Sequence, residues 1–450
     1  MTRLPLARYF GPDSVVARGP GTVVTLRQML GDIEALARTL PERKYVINLC
    51  EDRYLFLTGL AAAMVRGQVS LLPSARTPHA LYELAEVYPD LYCLCERPDR
   101  IPEGLEVLGH SVASVRCPST TMPAFPTDQL AVIVFTSGST GRARPNPKSW
   151  GSLVHGATIA NRRFGLTSGR PGNIVSTVPP QHMYGFETTV MLPLQTGYAF
   201  HRARPFFPED IRSSLEELEA PRILVTTPLH LRACVHSGQP LPPLHSIISA
   251  TAPLSPQLAC AAETRYDTQV LEIFGFTEAG SIASRRTVEG EEWRTYDGVF
   301  LHTIDGGTLV VEGGHLAAPV PVNDVIEVRD PQRFVLQGRN ADLITLAGKR
   351  ASLSDLTHKL LQVKGVIDGV FFMPDEVQEP ITRPLAFAVA PGMTAAEILK
   401  ELRHYIDPVF LPRPLILLDA LPRNAVGKLP RETLVKLAQP KENAEAADGT

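Results

Sequence analysis

The chain has 450 residues, 44% hydrophobic and 20% charged, with a formal net charge of −3; it is too long for one ordinary core and predicts a large domain with a smaller appendage. That near-balanced charge offers no electrostatic case for nucleic acid or an anionic membrane as partner, and no stretch reaches the roughly 18 uncharged apolar residues of an integral membrane segment. Six cysteines, Cys50, Cys93, Cys95, Cys117, Cys234 and Cys260, follow no metal-ligand spacing and read as reduced buried thiols, which fits a cytoplasmic enzyme.

Over 25–40 apolar residues recur at helical spacing, 45–49 reads as a buried strand and 54–66 as a helix. The alternation continues through 68–72, 79–86 and 91–95, which predicts a doubly wound α/β sheet in the first third. At 130–135 a β-branched apolar run ends abruptly in Thr136, Ser137, Gly138, Ser139, Thr140 and Gly141. Glycines at a strand's end let successive backbone N–H groups turn toward one anion, and the hydroxyls add donors. No Lys-Ser or Lys-Thr follows at the Walker spacing, so this reads as a phosphate loop of another kind.

Strands are expected at 223–226 and 246–250, each ending in small polar residues where an α/β sheet places its ligand. Short alternating runs with paired glycines over 293–328 suggest hairpins packed as a β-barrel-like module. The domain reading is a core over 1–337, a hinge at 338–341, a small C-terminal unit over 342–437 and a disordered tail over 438–450, rich in Lys, Glu, Asn, Ala and Asp.

Further motifs follow the loop in order: Phe274-Gly275-Phe276-Thr277-Glu278, Gly338-Arg339-Asn340-Ala341-Asp342 with Gly348-Lys349-Arg350, and Pro422-Arg423-Asn424-Ala425-Val426-Gly427-Lys428-Leu429-Pro430-Arg431. Together they resemble the core motifs of the adenylate-forming superfamily of acyl-CoA synthetases, aryl-acid ligases, peptide-synthetase adenylation domains and luciferases. The resemblance spans roughly 129–431. It implies a large N-terminal domain of doubly wound sheets and a small, mobile α+β C-terminal domain that swings about the hinge. It also implies ATP and Mg²⁺ as cofactors, a carboxylic acid as substrate, and an acyl carrier protein or coenzyme A as acceptor.

Roles implied by the resemblance follow residue by residue. The 136–141 loop grips the β- and γ-phosphates, Thr277 bonds the α-phosphate and Glu278 holds the metal. Phe274 and Gly275 belong to the nucleotide motif. Asp324 stands where relatives bind the ribose, within Val-Asn-Asp instead of Thr-Gly-Asp, and Arg339 caps the ribose or the phosphate edge. Lys428 matches the catalytic lysine that bridges the carboxylate and the α-phosphate. His182, Met183 and Tyr184, with Ala250 and Thr251, match the acyl-pocket segments.

Relatives usually follow the phosphate loop with Gly-x-Pro-Lys, whereas here a longer basic run leads from Arg142 through Arg144 to Lys148. One of these three replaces the usual lysine, or the run is a solvated loop. The variant resembles short stand-alone AMP ligases of aryl-polyene and xanthomonadin-type pigment pathways, which load an aromatic acid onto a carrier protein. A small aromatic, hydroxybenzoate-like acid is the expected substrate. The alternatives are a fatty acyl-AMP or acyl-CoA ligase and a degenerate adenylation fold that binds nucleotide without turnover.

Overall fold

The helix Arg53–Val65 (RYLFLTGLAAAMV) is buried around its circumference, so it must lie between two packing surfaces. In the computed structural model, which describes residues 2–73, 76–111, 117–137, 143–166, 169–170, 172–304, 307–339, 343–346, 349–374, 383–424 and 427–438, one surface is the first sheet, which it contacts through Tyr45–Asn48 and Val69–Leu72. On its other side Phe56 meets Phe186 edge to face at 6.2 Å. The expected alternation is present: helices Leu26–Thr39 and Pro78–Val87 flank the strands Tyr45–Asn48, Val69–Leu72 and Leu91–Cys95.

This first sheet has six strands in the order Ala143–Ser149, Leu130–Ser137, Val69–Leu72, Tyr45–Asn48, Leu91–Cys95 and Val107–Gly109. All neighbours are parallel except the first pair. Continuous apolar runs such as LYCLC suit strands buried on both faces. The edge strand Ala143–Ser149 carries Pro145 and Pro147 opposite Phe135 and Ile133. A proline ring has no N–H to give, so such residues fit a ladder only where that donor would face away from the partner strand.

The second sheet has eleven strands. Its parallel centre runs Val15–Gly19, Ala199–His201, Asn173–Ser176, Arg222–Thr226, Ser246–Ser249 and Gln269–Phe276. Antiparallel strands Gly280–Arg286, Glu292–Thr295, Arg333–Arg339 and Asp324–Asp330 extend one flank, and Thr22–Thr25 closes the other. The hairpins expected over 293–328 are thus shared out: some strands join the large sheet, while Val299–Thr303, Leu309–Gly313 and Val320–Pro321 form a sheet of their own.

Toward the C-terminus the hairpin Leu343–Leu346/Lys349–Ser352 precedes a three-stranded sheet of Asp368–Phe372, Leu385–Val389 and Leu415–Leu417. Helices Leu353–Gln362 and Ala395–Leu402 close a separate core of Leu356, Leu360, Phe371, Ala386, Ile398 and Leu402. The mixed α/β class read from the sequence is the class observed. Of the hinge only 338–339 falls within the described residues, and of the tail only residue 438.

One side chain fastens helix Arg53–Val65 to the second sheet. Arg53 is 1% exposed; its guanidinium donates to the carbonyls of Ser176, Val178, His201 and Ala203 and to the Thr189 hydroxyl, at 2.6–3.4 Å. Burial pulls its pKa down to about 10. Five acceptors make this buried charge tolerable: four carbonyls at or just past strand ends, and the hydroxyl of Thr189 on the helical segment Glu187–Met191.

Candidate active site

At the carboxyl ends of the central strands stand Ser176-Thr177, Thr226-Thr227, Ser249-Ala250-Thr251 and Phe276-Thr277. The hydroxyls of Thr177 and Thr226 lie 3.1 Å apart. Tyr184, on the short helix Met183–Phe186, spans two of these strands: its hydroxyl donates toward the carbonyls of Thr226 at 3.0 Å and Ile248 at 2.9 Å. Burial holds that phenol well above its ordinary pKa. Ala250 is buried, and Thr251 adopts φ +80°. A β-branched residue rarely takes the left-handed region, and such strain concentrates at ligand sites.

The strands Gln269–Phe276 and Gly280–Arg286 turn at Thr277-Glu278-Ala279, with Ala279 N–H donating to the Phe276 carbonyl at 3.0 Å. Two glycines allow this turn. A Cβ on Gly275 would sit 2.4 Å from the Gly280 carbonyl, and one on Gly280, at φ +79°, would sit 2.5 Å from Glu187 Oε1. The turn is held from three sides. Lys148 Nζ donates to the Glu278 carbonyl at 2.6 Å, His315 Nε2 donates to the Ala279 carbonyl at 2.8 Å, and Glu187 accepts the Ser281 N–H at 3.1 Å and its hydroxyl at 2.5 Å. Burial lowers the pKa of Lys148, opposed by Glu187 and Glu278, and raises that of Glu187, opposed first by its Ser281 hydrogen bonds and then by Lys148. The Glu278 residue itself is exposed.

Facing the strand ends is the loop of Lys428. Asn424 accepts the backbone N–H of Gly427 at 2.8 Å on its carbonyl and that of Lys428 at 2.9 Å on its side chain, and it donates its own N–H to the Lys428 carbonyl at 2.8 Å. Gly427, at φ +77°, packs so close that a Cβ there would lie 3.5 Å from Thr227 Oγ1 and 3.8 Å from Leu229 Cβ. His182, which precedes helix Met183–Phe186, has its pKa pulled down to about 4, first by burial and then by the positive charges of Lys428, Arg76 and Arg204. His230 is lowered to about 4 by burial and by Arg204, with Nδ1 2.9 Å from the Thr227 hydroxyl. Positive charge from Lys428, Arg76 and Arg204 thus bears on His182, and that of Arg204 on His230.

The remaining sequence candidates lie on other elements. Thr136 and Ser137 end the strand Leu130–Ser137, while Gly138, Ser139, Thr140, Gly141 and Arg142 lie outside the described residues. Arg144 is exposed and Lys148 is buried beneath the Glu278 turn. Phe274 directs its ring into an aromatic cluster, 5.6 Å from Trp293 and 5.4 Å from Phe334, so its motif neighbour Gly275 is the exposed one. Asp324 and Arg339 sit directly opposite each other in the ladder of Asp324–Asp330 with Arg333–Arg339. Met183 is half-buried, its Cε 3.3 Å from where a Gly280 Cβ would lie. Arg53, Arg76, Glu187, Arg204 and His230 were not singled out by the sequence reading. A lone acid inside the apolar run Met183–Leu194 was the available signal for Glu187.

Among the described residues no group of three His, Cys, Asp or Glu side chains could hold a metal. Mg²⁺ takes one or two carboxylates together with substrate phosphates and water, so a single carboxylate on an exposed turn, that of Glu278, fits it.

A parallel sheet whose carboxyl strand ends face a lysine-bearing loop is an α/β fold of the kind that takes its ligands at those ends, and comparison with known proteins narrows the class. The family model described as AMP-binding enzyme matches residues 35–334, and the chain belongs to that family. A 4-coumarate–CoA ligase of Rhodobacter capsulatus is 28% identical over 239 residues, 53% of this chain and 59% of its own length. The chain spans about three fifths of the length of the first curated relatives it matches. In fold it is similar to an anthranilate CoA ligase in complex with anthranoyl-AMP, at TM-score 0.80 and 15% identity, covering 97% of this chain and 98% of that one. It is also similar to ATP-bound MatB from Rhodopseudomonas palustris, at 0.79 and 18%, covering 95% and 96%.

Proposed function

We propose that the protein is an AMP-forming acid–thiol ligase. A carboxylate oxygen attacks the α-phosphorus of ATP and pyrophosphate leaves with the bonding electrons. A phosphopantetheine thiolate then attacks the acyl carbon and AMP departs. The first step brings two anions together, so the site must neutralise charge and hold an in-line geometry. One observation carries the reading: the Gly427–Lys428 loop of the C-terminal unit lies against Thr227 at the strand ends, and the positive charges of Lys428, Arg76 and Arg204 bear on the buried His182.

Lys428 is assigned to the α-phosphate and the reacting carboxylate. His182 stays neutral at physiological pH and serves as a polar wall. Thr277 is placed as donor to the α-phosphate, the 136–141 loop as the grip on the leaving pyrophosphate, and Asp324 with Arg339 at the ribose. Glu278 would hold Mg²⁺, which when bound offsets charge on the phosphates. Lys148, buried under the turn, aligns Glu278 through its backbone.

The acid is small and aromatic. Tyr184 is tied to two strands and Met183 reaches the Gly280 turn, so bulky groups fill the space a long chain would need. Relatives named as 4-coumarate and 4-chlorobenzoate ligases support an aromatic acid and coenzyme A. A carrier-protein acceptor is the finer reading, drawn from the basic 142–148 run. Pyrophosphate release and product analysis with a panel of acids, both thiols present, tests these assignments. A hydroxybenzoate should be preferred, with loading of a carrier. A higher kcat/KM for palmitate would reject the aromatic acid, thioester on coenzyme A alone would reject the carrier, and no turnover with any acid would leave a binding module.

A further inference from the structure

The C-terminal unit meets the main body through an ion cluster behind the Lys428 loop. Asp368 opens the strand Asp368–Phe372 with its side chain 11% exposed, and it accepts Nε and Nη2 of Arg423 at 2.8 and 2.7 Å. From the main body, Arg232 on helix Pro228–Ser237 places Nη1 3.6 Å from the same carboxylate. The remaining guanidinium nitrogen of Arg423 donates to the Gly427 carbonyl at 2.8 Å. One carboxylate therefore joins a helix of the main body to the arginine that shapes the Lys428 loop.

Thr227 and Leu229, on which Gly427 rests, lie one turn before Arg232 at the start of that same helix. Loop contact and ion pair thus act on one rigid element. Low exposure keeps water and salt from screening the pair as they would a surface bridge. Losing Arg232 leaves Asp368 its two hydrogen bonds from Arg423 but cuts the tie to the helix, whereas losing the Asp368 charge leaves two low-exposure guanidiniums without their carboxylate, which is costly.

We propose that Arg232 is a positioning residue for Lys428: through Asp368 and Arg423 it sets the Gly427–Lys428 loop against Thr227. This rests on the assignment of Lys428 to the adenylation step, and the test separates the two.

Arg232→Gln, Arg232→Lys, Asp368→Asn and the Arg232→Gln/Asp368→Asn pair are assayed by ATP–pyrophosphate exchange and by amide hydrogen exchange. Arg232→Gln lowers kcat about tenfold with KM for ATP within about twofold. It also speeds amide exchange over 421–430 while leaving Arg222–Thr226 at the wild-type rate. Arg232→Lys restores most of both. Asp368→Asn is more damaging, and adding Arg232→Gln to it has no further effect, as expected for residues acting through one partner. Multiplicative effects of the two substitutions, or unchanged exchange over 421–430 in Arg232→Gln, would overturn the proposal. Should Asp368→Asn fail to fold, the Arg232 pair decides alone. If the wild-type protein exchanges pyrophosphate with no acid, the functional assignment falls, and hydrogen exchange still decides whether Arg232 holds the loop.

Discussion

Replacing Lys428 by alanine isolates one charge from one fold. The loop's internal hydrogen bonds use the backbone of Lys428 and the side chain of Asn424, and residue 428 is exposed, so stability should change by no more than about 0.5 kcal/mol. The rate should respond far more. Loss of one preorganised charge that faces developing negative charge is worth about 3–4 kcal/mol, or a 10²–10³-fold fall in acyl-AMP formation. ATP–pyrophosphate exchange reads that step, and transfer from a synthetic acyl-adenylate to the thiol reads the other, which should fall far less. A third readout is the His182 titration. Removing a nearby positive charge should raise its pKa above about 4 while burial still holds it below the free-histidine value. A fall of less than tenfold in adenylation, an equal loss in both half-reactions with an unchanged thermal melt, or an unmoved His182 would refute the assignment.

Two further outcomes follow from packing and burial. Gly280→Ala forces a Cβ onto Glu187 at φ +79°; the left-handed backbone costs about 1–2 kcal/mol and displaced hydrogen bonds to the carboxylate about 1.5–3 more, so urea unfolding should show a loss of about 2–5 kcal/mol, and a loss under about 1 would contradict it. His110, His182, His230 and His315 all fall to about 4 in the folded chain, burial being the first cause. Between pH 6.5 and 4 the unfolded chain therefore binds more protons, and stability should drop as pH falls through that window, by up to about 1.4 kcal/mol per pH unit for each such histidine. Denaturation midpoints measured between pH 7.5 and 4.5 check this, and His110→Gln should flatten the slope.

Periodicity made much of the fold legible. The helices and strands of 25–95 alternate with clear apolar patterns, and the helix Arg53–Val65 is so uniformly apolar that its central position could be inferred. Motif order named Lys428, Thr277 and His182 as candidates, and folding brings Lys428 near enough for its charge to bear on His182. What stayed hidden depends on neighbours distant in sequence. Arg144 and Lys148 share strand parity, yet only Lys148 passes beneath the Glu278 turn. Buried single charges such as Arg53 and Glu187 leave no period to read, because their partners are backbone groups and hydroxyls on other elements. The motif names Phe274, while the direction of its ring, turned toward Trp293, depends on strand alternation and on a partner distant in sequence. The Arg232–Asp368 pair joins residues 136 positions apart, beyond any local pattern.

The two prolines on the edge strand Ala143–Ser149 bear on behaviour outside the cleft. An open sheet edge is a row of donors and acceptors ready to accept another strand, and in concentrated solution it seeds intermolecular pairing. Pro145 and Pro147 remove two successive donors from that row, while Arg144 adds an exposed charge beside them. The basic, proline-rich stretch thus guards against self-association at the flank of the sheet that delivers the Thr136 end of its neighbour. Valine at both positions would restore the missing donors and favour edge-to-edge oligomers, a route to insolubility that no catalytic assay would reveal.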